Sequence, residues 1–247
     1  LAVFILPDTA PFGLDKQAAE HVRATMVFAG LWAIIFSLPL FFATPSPAPT
    51  PHKGAYLSQL KTALNEARAL PGMMRFLIAR MAFNDGLVTL FALGGIFAAK
   101  VFGFTQTEIL IFAISLNISA GIGAIGGGWA DDRLGSLRTI RISLIGLIIF
   151  GSIAILAPTK EVFWGATILL GLFVGPSQSA SRSYVARRAP QESKASLFGL
   201  YMVSGKATSF IGPMIYGWLV FATGIERAGM AIVIVLTVLG LLLLPKD

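Results

Sequence analysis

Apolar residues run along this chain in long, nearly uncharged stretches separated by short polar breaks. The stretches do not alternate with a two-residue period, as half-buried strands would. Several reach the roughly 18 residues that cross about 30 Å of hydrocarbon as a helix. A membrane barrel would show alternating segments of about 10 residues instead. Leu1 to Leu6 reads as the tail of a span, and Pro7 to Glu20 as a polar loop holding Pro7, Pro11 and Gly13. A first full span is expected at Val22 to Phe42, with Pro39 near its end, where a lost backbone donor is tolerated. Six more are expected at Phe76 to Val101, Thr107 to Ala130, Leu137 to Ala157, Val162 to Ala180, Ser196 to Phe221 and Ala228 to Leu244. The expected fold class is all-α, a polytopic transmembrane helical bundle.

Two segments interrupt this series. Ala43 to Tyr56 carries Pro45, Pro47, Pro49 and Pro51, a composition that favours extended polyproline II and spaces what it joins. Tyr56 to Leu70 then places Leu57, Leu60, Leu64, Ala67 and Leu70 on one stripe, with Lys61, Glu66 and Arg68 off it. That pattern predicts an amphipathic helix lying on the membrane surface. The chain therefore divides into residues 1–44, a linker at 45–75 and a six-span bundle at 76–247. It opens inside an apolar run with no charged segment before it, which reads as a fragment and not as a signal peptide.

Composition narrows the function. Charged residues are only 13% of the chain, about half the share of a soluble domain. The net charge of +7 would suit nucleic acid, but the basic residues sit between spans and form no basic aromatic face, so no nucleic-acid partner is expected. Their distribution instead sets orientation. Twelve lie on the side of the linker, with Arg133, Arg138, Arg141, Arg187 and Arg188 among them. Five lie on the other side, and Arg80 and Lys206 fall inside spans. The linker, the hairpin after Ala130 and the end at Lys246 are thus expected in the cytoplasm. There is no cysteine, and His21 and His52 have no ligand-spaced partners, so neither a metal nor a cofactor is expected.

Enzyme patterns are nearly empty. Gly121-x-Gly123-x-x-Gly126 matches a dinucleotide fingerprint but lacks the preceding strand; in an apolar helix it reads as close packing, with Gly123 and Gly127 a GxxxG pair. Asn117-Ile-Ser119 matches a glycosylation sequon inside a span, where no glycan can be added. Polar groups within the hydrocarbon carry more meaning, because a charge there costs about 2.5–3.5 kcal/mol on insertion scales. Asp85 is the one acid deep in a span, about ten residues or roughly 15 Å from the linker side. Lys206 lies at similar depth. The two are expected to share a polar cavity and to pair. Asn84 and Gly86 extend a polar notch at Asp85. Arg80 shares its face, as solute contact or as a snorkelling anchor. Asn117 could bond across helices. Gly175-Pro176 is expected to break its helix and leave Gln178 and a run of serines leading to Arg182, as a solute path or a hinge. Gly212-Pro213 reads as a second kink without polar company.

Between the second and third spans after the linker stands Gly128-x-x-x-Asp132-Arg133-x-Gly135-x-x-Arg138. It resembles the cytoplasmic loop signature of the major facilitator superfamily, found at this place in each six-helix half. Phe83-Asn84-Asp85-Gly86 with Thr89-Leu90-Phe91-Ala92, Gly175-Pro176-x-Gln178-x-Ala180-Ser181-Arg182-Ser183, and Phe198-Gly199-Leu200-Tyr201 with Ser204-Gly205-Lys206-Ala207-Thr208 resemble strings of its vacuole-effluxer branch, which includes fungal autophagy-related amino-acid exporters and bacterial relatives. The resemblance implies the carboxy-terminal half of a secondary transporter, with the last helix of the first half before it. The partners it implies are the lipid bilayer, the rest of the first half and a small solute, amino acids foremost, with a proton as coupling ion through Asp85. It implies that the spans of Asp85 and Gln178 line the central cavity, while Gly128, Asp132, Arg133, Gly135 and Arg138 gate one end. A bacterial inner membrane is the expected location. The rival reading is a non-transporting scaffold or a degenerate half-permease.

Overall fold

The computed structural model describes residues 11–15, 18, 20–43 and 56–246. The apolar stub, half of the first loop and the proline-rich linker lie outside the described residues. The chain divides into two compact units, Leu1–Lys53 and Gly54–Asp247.

In the first unit a 3-10 turn at Pro11–Gly13 precedes α1, Glu20–Ala43. Pro39 lies inside that helix near its end and does not stop it. Leu31, Trp32, Ile34, Ile35 and Phe36 are all exposed on α1. A helix that is apolar on every side belongs in hydrocarbon.

The second unit holds α2 (Tyr56–Ala69), α3 (Met73–Phe102), α4 (Gln106–Leu134), α5 (Ser136–Leu156), α6 (Lys160–Arg188), α7 (Lys194–Ala207), α8 (Ile211–Thr223) and α9 (Glu226–Leu243). With α1, the helices α3, α4, α5, α6 and α9 are long and apolar enough to cross a membrane. Their ends are set locally. Thr105 and Glu108 form a reciprocal capping box that starts α4, and Thr159 caps α6. Gly135, at φ 85°, turns the chain from α4 into α5, a backbone that L side chains adopt only with strain.

α6 is the central helix, packed along both α4 and α5; α9 packs along α3 and also touches α5. α7 and α8 cover α3, and α8 also meets α9. Two apolar cores result. Phe76, Phe83, Ile140, Leu144, Tyr184 and Leu197 fill the end nearer the α4–α5 hairpin. Phe97, Phe104, Phe112, Phe163 and Met230 fill the opposite end. The rings of Phe102, Phe112 and Phe163 stack there with centroids 4.6 and 5.5 Å apart. α2 buries Ala63 and Ala67 against the first core and contacts α7, while Leu60 stays outward. The buried stripe is therefore narrower than the leucine pattern predicts.

Two expectations are corrected. Gly175-Pro176 does not break α6, which runs unbroken from Lys160 to Arg188. Proline at 176 removes the donor that would bond the Leu172 carbonyl, one turn back. That carbonyl instead lies against Gly123 of α4, where an added Cβ would overlap its oxygen. Gly175 lies equally close to the Ala120 carbonyl, and Gly127 to the Pro176 ring. The glycine pair of α4 and the Gly-Pro of α6 thus make one close helix crossing. Ser119 adds a hydrogen bond across it to the Ile168 carbonyl at 2.5 Å. Conversely, the span expected at Ser196 to Phe221, with no more than a kink at Gly212-Pro213, is broken into α7 and α8 at Thr208–Phe210. The physical cause is Pro213, which removes a donor and crowds the carbonyl four residues back.

Candidate functional site

Arg80, Asn84, Asp85 and Thr89 of α3 are all buried. At about 100° per residue they spread over half of the helix circumference, Arg80 and Asn84 looking onto α7 and Asp85 and Thr89 onto the start of α8. Arg80 lies over the Tyr201 ring, 3.6 Å from guanidinium carbon to ring centroid. Its Nη1 donates to the Tyr201 carbonyl at 2.8 Å and to Ser204 Oγ at 3.2 Å. Gly205 makes room for it, since an added Cβ would collide with the guanidinium. A desolvated cation over a tyrosine ring is worth about 2 kcal/mol or more, which explains how Arg80 sits here with no carboxylate bonded to it among the described residues.

One turn further along, Asn84 Nδ2 donates to the Gly205 carbonyl at 2.7 Å, and Gln178 Nε2 of α6 donates to Asn84 Oδ1 at 3.3 Å. A chain of side-chain amides thus joins α6, α3 and α7. Gln178 is half-buried and marks the exposed border of this seam. Thr208 closes the row with a bond to the Met81 carbonyl at 3.3 Å.

Asp85 does something else. Its Oδ2 accepts the Gly212 N–H at 3.0 Å, in the first turn of α8. It does not pair with Lys206 as expected. Asp85 is 2% exposed, whereas Lys206, just before the break, turns its side chain out and has no ion pair among the described residues. The kink at Gly212-Pro213, expected to lack polar company, has Asp85 as its partner.

The remaining sequence candidates are spread. Arg182 is exposed, yet close enough to Arg80 to act on it electrostatically. Asn117 makes no cross-helix bond; it is exposed and returns to the Ala113 carbonyl of its own helix at 2.8 Å. It lines a groove between α3 and α4 with Phe91, Gly95 and Gln106.

At the hairpin, Asp132 accepts from Arg187 Nη2 at 2.9 Å, Arg133 stacks on Trp129 at 4.1 Å, and Gly135 supplies the turn. Gly128 is half-buried in α4 and Arg138 is exposed. The sequence reading missed the better-placed carboxylate. Asp131 is buried at 4% exposure, and its Oδ2 accepts from the same Arg187 nitrogen at 3.1 Å. Asp131 stands one helical turn beyond buried Gly127, a spacing that could have flagged it. Tyr201 and Ser204 were missed as well, for a backbone carbonyl and a ring face leave no signal in a residue list.

This arrangement of long apolar helices and one broken span around a buried polar seam can be set beside known proteins. Residues 1–245 match the family described as "Vacuole effluxer Atg22 like". The chain belongs to that family. Autophagy-related protein 22 of Cryptococcus neoformans is 23% identical over all of this chain and 47% of its own length. Autophagy-related protein 22-1 of Aspergillus clavatus is 30% identical over 97% of the chain and 44% of its own. An uncharacterized MFS-type transporter of Bacillus subtilis, YxiO, is 22% identical over 99% of the chain and 57% of its own. The chain spans about half the length of the curated relatives it matches. It is a multi-pass membrane protein of a transporter family. Because these relatives come from fungi and from a bacterium, kinship does not select the bacterial inner membrane expected above.

Proposed function

We propose that this chain is the carboxy-terminal half of a secondary transporter, with the last span of the first half, and that the intact protein exports a small solute such as an amino acid by alternating access. The observation that carries the reading is the seam itself. Arg80, Asn84 and Gln178 link three helices at a depth where polar groups are costly unless they serve a path or a clamp. Arg182 and Lys206, exposed beside the seam, give its open border a positive charge suited to a solute carboxylate. Outward movement of solute is supported by the family's description as an effluxer. The proton is the coupling ion that a lone mid-span carboxylate suggests. The hairpin and the α9 end face the cytoplasm in this reading, following the lysine and arginine bias.

Efflux from proteoliposomes tests it. The intact protein, loaded with a panel of labelled amino acids on the inside, releases at least one faster than protein-free vesicles. Gln178→Ala and Asn84→Ala slow that release about tenfold or more while the protein remains monodisperse. Well-folded wild-type protein that moves none of the panel would leave the scaffold or half-permease reading standing.

A further inference from the structure

The break before α8 has an unusual cap. A helix start leaves its first N–H groups without internal partners, and a side chain at the cap position ordinarily takes one. Here the cap position is Phe210, whose side chain accepts nothing. The donors of the first turn can be accounted for one by one. Ile211 N donates to the Thr208 carbonyl at 2.9 Å, Pro213 has no N–H, and Met214 N donates to the Phe210 carbonyl at 3.1 Å. Gly212 N alone needs outside help, and it receives it from Asp85, 127 residues earlier in the chain. Glycine is required there because an added Cβ would overlap Thr89 Oγ1.

The carboxylate is only half used. Asp85 Oδ1 is buried and has no hydrogen-bond partner. It lies 3.2 Å from where a Cβ on Gly212 would stand, so it faces the same helix start. Its neighbours at this spot are the Leu236 side chain of α9 and the Thr89 hydroxyl, whose proton is given to the Asp85 main-chain carbonyl. A buried lone oxygen on an anion is an unfilled proton site.

We infer that Asp85 is a proton-operated latch on the discontinuous span made of α7 and α8 and not a solute contact: as an anion it holds the start of α8 against α3, and a proton on Oδ1 releases that hold. The charge of the carboxylate is what the helix dipole favours, and the neutral acid keeps only an ordinary hydrogen bond. The other ionisable groups on the packed elements do not substitute for it. On α3, Arg80 is held by Tyr201, and Arg75 and Lys100 lie at the two ends. On α7, Lys206 is exposed, as is Arg182 on α6. On α8 and α9, Tyr216 bonds Glu226, and Arg227 bonds the Ile155 and Ala157 carbonyls, all at the far end. The inference gives the proton of the transport reading a place and a mechanical effect. It rests on that reading for its purpose, though not for its geometry.

Amide exchange of the purified intact protein in detergent tests the latch without any transport. The readout is the peptide covering residues 211–216, with rates divided by the intrinsic pH dependence of exchange. In wild-type protein, protection of this peptide falls about tenfold as the pH is lowered through a single step, while an α5 peptide stays level. In Asp85→Asn the peptide is already fast and shows no step. A wild-type peptide with flat protection would overturn the inference, and so would a step that persists in Asp85→Asn. The wild-type titration needs no variant, so a variant that fails to fold leaves the test intact. Loss of transport with a normal step would count against the transport reading alone.

Discussion

The crossing of α4 and α6 allows a matched test of close packing. At Gly123 an added Cβ would stand 2.6 Å from the Leu172 carbonyl carbon and closer still to its oxygen; at Gly121, two residues earlier on the same helix, it would meet nothing within 4 Å. Alanine at 123 therefore demands that the two backbones separate by about 1 Å, since the obstacle is main chain and has no rotamer to change. Overpacking of this kind costs about 1–3 kcal/mol. Separation also strains the Ser119 bond to the Ile168 carbonyl, worth about 0.6 kcal/mol for an interhelical pair in a membrane. Alanine's better helix propensity returns up to about 1 kcal/mol at either site. Gly123→Ala should thus destabilise by roughly 1–3 kcal/mol, whereas Gly121→Ala should be neutral or slightly stabilising. In a thermal melt of detergent-solubilised protein that is a fall of about 3–10 °C against no fall. Equal midpoints for the two variants would refute the packing argument, and with it the explanation of why Pro176 is tolerated in α6.

Other consequences are equally direct. Gly135→Ala, at φ 85°, should cost about 1–2 kcal/mol in the same melt, the strain of forcing a Cβ into that backbone. Arg187→Ala should destabilise more than Asp132→Ala, because it strands buried Asp131 as well; with Arg187 half exposed, the difference should be about 1 kcal/mol. Arg80→Lys keeps the charge but loses the planar stack on Tyr201, and should slow efflux from proteoliposomes while Arg182→Lys, at an exposed site, slows it less.

Much of this was legible in the sequence for identifiable reasons. Apolar run length placed α1, α3, α4, α5 and α9 within a few residues, because hydrocarbon thickness dictates it, whereas α6 continues well past the end of its apolar run. The cost of polar groups in hydrocarbon singled out Arg80, Asn84 and Gln178, which the fold brings together. What could not be read was the partner of each group. Asp85 and Lys206 have matching depths, yet depth says nothing of the rotation of a helix about its axis, and Lys206 faces outward. Gly175-Pro176 and Gly212-Pro213 look alike as dipeptides. The first is absorbed because Gly123 receives the freed Leu172 carbonyl, and the second breaks the span because Asp85 stands ready to cap the new end. Both outcomes depend on a neighbour more than 50 residues away. Asp131 escaped notice since the signature draws attention to Asp132, and burial separates the two only in three dimensions.

The central claim, that the seam of α3, α6 and α7 borders the solute path, is tested most directly by solute-protected alkylation. Residues 1–247 contain no cysteine, so Gln178→Cys can be probed with a water-soluble maleimide in the intact protein once any cysteine outside these residues is replaced, against Leu134→Cys at the hairpin end as control. A transported amino acid should slow labelling at 178 severalfold and leave 134 unchanged. Equal labelling at 178 with and without saturating solute would contradict it.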